Sequence, residues 1–74
     1  MKMTTETIEA EIHGQIFRKR TRTGKRFIAY AQAEGEAPEV CAFKTAEKAE
    51  NWGLWMRDRY DCFAHGWAEA RPVS

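Results

Sequence analysis

From Thr7 to Phe17 the chain alternates, with Ile8, Ala10, Ile12, Gly14 and Ile16 on one side and Glu9, Glu11, His13 and Gln15 on the other. A period of two is that of a strand with one buried face, so this run predicts the first strand. A second run, Lys25 to Glu34, carries Phe27, Ile28 and Tyr30 and follows Thr21-Arg22-Thr23-Gly24-Lys25. A glycine in the left-handed region after a type I turn makes a common bulged hairpin connection, so the two runs are expected to pair around Gly24. In that register Lys25 lies near Thr21, Ile28 near Arg18, Tyr30 near Ile16 and Gln32 near Gly14. Phe17, Phe27, Ala29, Ala31 and Ala33 then share the face opposite the isoleucines.

Gly35-Glu36-Ala37-Pro38 reads as a turn, and Glu39 to Phe43 as a short third strand. Thr45 stands where a helix N-cap belongs, and Glu47 follows at the positive end of the helix dipole. The expected helix places Ala46, Ala49, Trp52, Gly53, Met56, Tyr60 and Phe63 on one stripe that covers the sheet. Its end has two readings. In one the stripe runs through Phe63, His65-Gly66 caps the helix, and Arg71 to Ser74 is a loose tail. In the other the helix stops near Asp61 and Cys62 to Val73 forms a fourth strand. The expected fold class is therefore α+β, a three-stranded antiparallel sheet packed by one C-terminal helix (βββα), with or without the fourth strand.

Seventy-four residues, 43% of them hydrophobic and 31% charged, make one small folded domain over residues 1–74, with residues 1–6 and 71–74 as loose termini. A core this small is marginal, which leaves a homodimer or a partner open as its completion. The start, Met1-Lys2-Met3-Thr4-Thr5-Glu6, has no apolar signal region, and no run approaches a membrane span, so no membrane partner is expected. Two cysteines, Cys41 and Cys62, do not make a disulfide framework, and a reducing cytoplasm is the simplest location.

Charge changes the picture more than composition does. Residues 18–26 hold six of the twelve Lys and Arg residues and none of the eleven Asp and Glu residues. Arg18, Lys19, Arg20, Arg22, Lys25 and Arg26 would gather on one projecting hairpin tip, where cations suit phosphate contact and a two-stranded ribbon suits a major groove. Cations on such a tip also keep it soluble and block edge pairing, and an acidic protein surface would attract them as well as phosphate does.

Phe17 and Phe27 would lie on the bare face beside Lys19, as a stacking or hot-spot surface, unless the tail with Trp67 or a second copy covers them. Trp55 lies off the helix stripe with Arg59 and Cys62 along its flank, a candidate interface indole. Cys62-Phe63-Ala64-His65 has the spacing of half a zinc site, with Cys41 and His13 needed to close it; one half-motif does not make a metal centre. The acids are scattered and no glycine-rich phosphate loop follows a strand, so neither catalysis nor a cofactor is expected.

Several segments together resemble a known family. Ile16-Phe17-Arg18-Lys19, Thr23-Gly24-Lys25-Arg26, Phe27-Ile28-Ala29-Tyr30 and the run from Phe43-Lys44-Thr45 through Glu47 and Ala49 to Trp52 look like the arm-type DNA-binding domain of phage tyrosine recombinases. The resemblance spans residues 12–60 and implies a three-stranded sheet lying in the major groove with a helix behind it. The acidic Glu34-Gly35-Glu36 connection departs from what phosphates would favour. In size and architecture the chain is also similar to small proteins of phages and mobile elements, including anti-CRISPR inhibitors. The leading expectation is a non-enzymatic phage-type protein that docks on a host nucleic-acid-processing complex and blocks its nucleic-acid site. The alternative is a direct DNA-binding accessory protein of the recombinase arm-domain or excisionase kind, using the basic hairpin; the expected partner is thus a host protein complex, or DNA or RNA directly.

Overall fold

His13 and Gly14 redirect the first strand. Both have positive φ, 51° and 78°, the pair of values a two-residue hairpin turn of type I′ requires. The computed structural model describes residues 4–73. In it the Thr7–Phe17 run is split by this turn into β1 (Thr5–Ile12) and β2 (Gln15–Arg22). The two pair antiparallel with Ile12 opposite Gln15, Glu11 opposite Ile16 and Ala10 opposite Phe17.

That turn reverses which residues of β2 face inward. Phe17 goes to the buried side with Ile8, Ala10 and Ile12, whereas Ile16 is 58% exposed on the outer face. The expected pairing of residues 7–17 with residues 25–34 is therefore replaced. Gly24 does take a positive φ, 101°, but the segment around it passes from one sheet to another instead of closing a hairpin.

β3 (Phe27–Gln32) lies at the centre of a second sheet, flanked by β4 (Glu39–Phe43) and by β5 (Ala64–Glu69), both antiparallel to it. β6 (Arg71–Val73) crosses back to pair with β1, giving the first sheet the order β2-β1-β6. The α+β class stands, but among the described residues there are six strands in two small antiparallel sheets in place of one three-stranded sheet. Residues 1–3 and Ser74, expected to be loose, lie outside the described residues. Thr5 and Glu6, expected to be loose with them, begin β1, and the expected tail from Arg71 to Val73 is β6.

The third strand and the helix start are where the pattern placed them. Thr45 caps α1 (Ala46–Tyr60), its Oγ1 accepting from the Lys48 amide at 3.1 Å. Glu47 in the first turn and Arg57 and Arg59 in the last complement the helix dipole. The helix ends at Asp61, which takes a left-handed φ of 53°, so the longer reading through Phe63 is overturned. His65 and Gly66 are strand residues of β5, not a cap.

The order of layers explains the burial. Ile28 and Tyr30 of β3 face the first sheet and meet Ile8, Ala10, Ile12 and Phe17, with Val40, Ala42, Ala64 and Ala68 around them. Phe17 stacks on Tyr30, ring centroids 4.6 Å apart. The alternate residues of β3, Ala29 and Ala31, face the helix, where Ala49, Gly53 and Met56 are buried. Small residues on that face let the helix come close to the sheet. Gly66 lets the two sheets approach in the same way, since a Cβ there would lie 2.9 Å from both His13 Cε1 and Ile12 Cγ2.

Candidate functional site

Once Phe17 faces the core, its even-numbered neighbours face solvent. Arg18, Arg20 and Arg22 therefore form a row on the outer face of β2, an edge strand, with successive Cα atoms about 6.8 Å apart. Across the ladder they meet Glu9, Thr7 and Thr5. Arg18 Nε donates to Glu9 Oε2 at 2.7 Å, which neutralises the first member of the row. Arg20 donates to the Thr5 hydroxyl at 2.8 Å and keeps its charge. Among the described residues no carboxylate lies within 4.0 Å of the charged groups of Lys19, Arg20, Arg22, Lys25 or Lys44, whereas Arg26 sits 3.6 Å from Glu6.

The row leads into a cationic recess. Thr23 N donates to Thr4 O, and Arg26 N donates to Phe43 O at 3.0 Å, so the 23–26 segment is tied to the ends of β1 and β4. With Phe27 opposite Phe43 in the ladder, Lys44 is brought beside Lys25. Thr21, Arg22, Thr23, Lys25 and Lys44 line a cavity of about 400 Å³ with three cations, two hydroxyls and no acid among its walls. Lys44 is absent from the sequence-derived set because it lies eighteen residues beyond Arg26; the signal available was its position immediately after the third strand, at the same end as the Gly24 segment.

The aromatic candidates separate into two groups. Phe17 is 8% exposed and belongs to the core, which removes it from any binding surface. Phe27 is half-buried with the Trp67 ring edge-on at 5.9 Å, so β5 supplies the cover. Trp55 is 53% exposed. The Arg59 guanidinium lies 5.9 Å from the Trp55 ring and 6.0 Å from the Tyr60 ring, making a small cation-aromatic cluster with Tyr60 and Trp55 edge to face. Tyr60 and Phe63, expected on the covering stripe, are 52% and 66% exposed.

This cluster and the basic recess are not one surface. Lys44 precedes the N-cap, Tyr60 is the last residue of the helix, and a 15-residue helix is about 22 Å long. The fold, 38 Å in its longest dimension, thus presents cations beside the helix start and aromatics beside its end.

The metal-type residues are likewise dispersed. His13 Nδ1 is 2.8 Å from the Tyr30 hydroxyl, and the Cys62 thiol donates to the Met56 carbonyl at 3.5 Å. Among the described residues no group of three or more His, Cys, Asp and Glu side chains is placed to hold a metal ion. Cys41 and Cys62 are both free thiols. Partial burial pushes the Cys41 thiol above its ordinary value; Lys19 and Lys25 oppose the shift and Glu39 adds to it. Among the described residues no helix is long and apolar enough to cross a membrane.

Compared with protein-family models, curated proteins and solved structures, the chain matches none of them.

Proposed function

We propose that the protein is a non-catalytic binder of nucleic-acid backbone, using the outer edge of β2 and the recess at its end. The observation that supports this reading is the run of cations, Arg20, Arg22, Lys25 and Lys44, with no carboxylate partner among the described residues. An arginine row that only kept the edge strand from pairing would not need Lys25 and Lys44, which lie outside β2. Guanidinium groups on a strand and ammonium groups on the loops beside it contact phosphates without reading bases, so the binding is expected to be insensitive to sequence and steeply dependent on salt.

This reading keeps the function implied by the arm-domain resemblance and discards its geometry. The basic residues occupy an edge strand of one sheet and its connection to the next, not the tip of a ribbon shaped to enter a groove. Fluorescence anisotropy with a labelled 20-nucleotide DNA or RNA at low salt tests it. The logarithm of the association constant should fall linearly with the logarithm of salt concentration, and the double variant Arg20→Glu, Arg22→Glu should remove binding. No binding by the wild-type protein at low salt would end this proposal.

The Trp55–Arg59–Tyr60 cluster favours a second reading, a phage-type inhibitor of the anti-CRISPR kind that docks on a host nucleic-acid-processing complex. An exposed indole beside a guanidinium is the composition of protein hot spots. A partner that co-purifies with the wild type and is lost on Trp55→Ala, together with no nucleic-acid binding by the wild type at low salt, would select this reading over the first.

A further inference from the structure

We infer that the recess lined by Thr21, Arg22, Thr23, Lys25 and Lys44 takes the terminal phosphate of a nucleic-acid strand, so that the protein prefers phosphorylated ends. The inference rests on the backbone-binding reading and adds to it where along the strand the protein sits.

Charge stoichiometry is the first argument. An internal phosphodiester carries one negative charge and two free oxygens, whereas a phosphomonoester carries about −1.5 to −2 at neutral pH and three strong acceptor oxygens. Arg22, Lys25, Lys44 and two threonines line the recess, and the adjacent Glu6 carboxylate is engaged by Arg26 and the Gly24 amide. The recess thus offers three cationic residues, more than one diester charge requires and one for each acceptor oxygen of a monoester. Both esters accept charge-assisted hydrogen bonds from these groups, so discrimination comes from the monoester's additional charge and third acceptor oxygen.

Placement is the second. Arg22 is both the last residue of β2, ending the outward row Arg18-Arg20-Arg22, and a wall of the recess. A strand whose phosphates follow the row is delivered to the cavity at that end. The backbone tie from Arg26 to Phe43 and the Phe27–Phe43 pairing hold Lys25 and Lys44 beside each other before any ligand arrives, which lowers the ordering cost of binding. Lys25 is half-buried and Lys44 exposed.

The test uses the intact protein and one 10-nucleotide single strand prepared with a 5′-phosphate, with a 3′-phosphate, or with neither, and inorganic phosphate as a separate ligand. One phosphorylated form should bind about tenfold more tightly than the unphosphorylated strand, and Lys44→Ala should weaken binding of all three strands while bringing them to equal affinity. Equal affinity for all three strands overturns the inference and leaves backbone binding standing. Binding of none of the strands overturns both. If none binds but inorganic phosphate shifts the amide resonances of Thr21, Thr23, Lys25 and Lys44, the recess is a site for free phosphate and the assignment to a nucleic-acid end falls. Lys44 is exposed and outside the strands and helix, and a circular dichroism spectrum unchanged from wild type confirms that the variant folds.

Discussion

Glu9 neutralises Arg18, at 2.7 Å across the β1–β2 ladder, and thereby decides how much of the basic row is available. Glu9 is the more buried partner, its side chain 16% exposed against 67% for Arg18, so the carboxylate is fixed in the sheet and the guanidinium comes to it. An exposed pair of this kind contributes at most about 1 kcal/mol to stability. Glu9→Gln should therefore leave stability nearly unchanged and strengthen nucleic-acid binding, with one more phosphate contact and a salt slope steeper by about 0.7 on a single strand. Anisotropy titrations over a salt series read both quantities, and weaker binding by the variant would contradict the proposed role of the row.

The sequence makes both Phe17 and Trp55 candidates for a contact surface, and the fold gives them opposite roles. Phe17→Ala removes a ring stacked on Tyr30 and should cost about 3 to 5 kcal/mol, the range for large core aromatics. Trp55→Ala, at a position 53% exposed, should change stability by no more than about 0.5 kcal/mol. Urea melts of the two variants check the contrast directly.

Gly66 faces the β1–β2 turn too closely for any side chain. Gly66→Ala places a methyl group 2.9 Å from His13 Cε1 and Ile12 Cγ2, and overpacking of this degree costs about 1 to 3 kcal/mol. The same displacement should disturb the His13–Tyr30 hydrogen bond. A lowered urea midpoint, accompanied by altered His13 ring resonances, is the expected result; unchanged stability would mean that the sheets lie farther apart.

Thr45→Ala removes the acceptor for the Lys48 amide and should destabilise the protein by about 1 kcal/mol. Because Thr45 follows Lys44, this variant also reports whether the recess depends on the helix start. Nucleic-acid affinity measured well below the melting temperature should stay within about twofold of wild type.

Cys41 should alkylate slowly. Burial raises its pKa, and Lys19 and Lys25 are the charges that hold the rise in check. Since the thiolate is the reactive form, a raised pKa means less thiolate at pH 8 than for a free cysteine. Lys19→Gln removes a lowering influence and should slow iodoacetamide labelling further, read by mass spectrometry with Cys41→Ser as the control. Faster labelling in Lys19→Gln would show that the lysine shields the thiol sterically instead.

The sequence by itself determined the elements whose cause is local. Thr45 and Glu47 mark a helix start through their own side chains, Glu39–Phe43 is bounded by a proline turn and a cap, and the alternation through Ile8, Ala10 and Ile12 announces a strand with one buried face. The cationic run from Arg18 to Arg26 was equally plain. Tertiary structure decided everything that depends on which surface a strand meets. The turn at His13-Gly14 shifted the parity of β2, burying Phe17 and turning Arg18, Arg20 and Arg22 outward; a one-residue change of phase moves every side chain to the other face. The return of Arg71–Val73 to β1 and the apposition of Lys44 with Lys25 join residues far apart along the chain. Local pattern specifies period and direction, but a strand's partner is chosen by burial summed over the whole core, and no segment carries that sum.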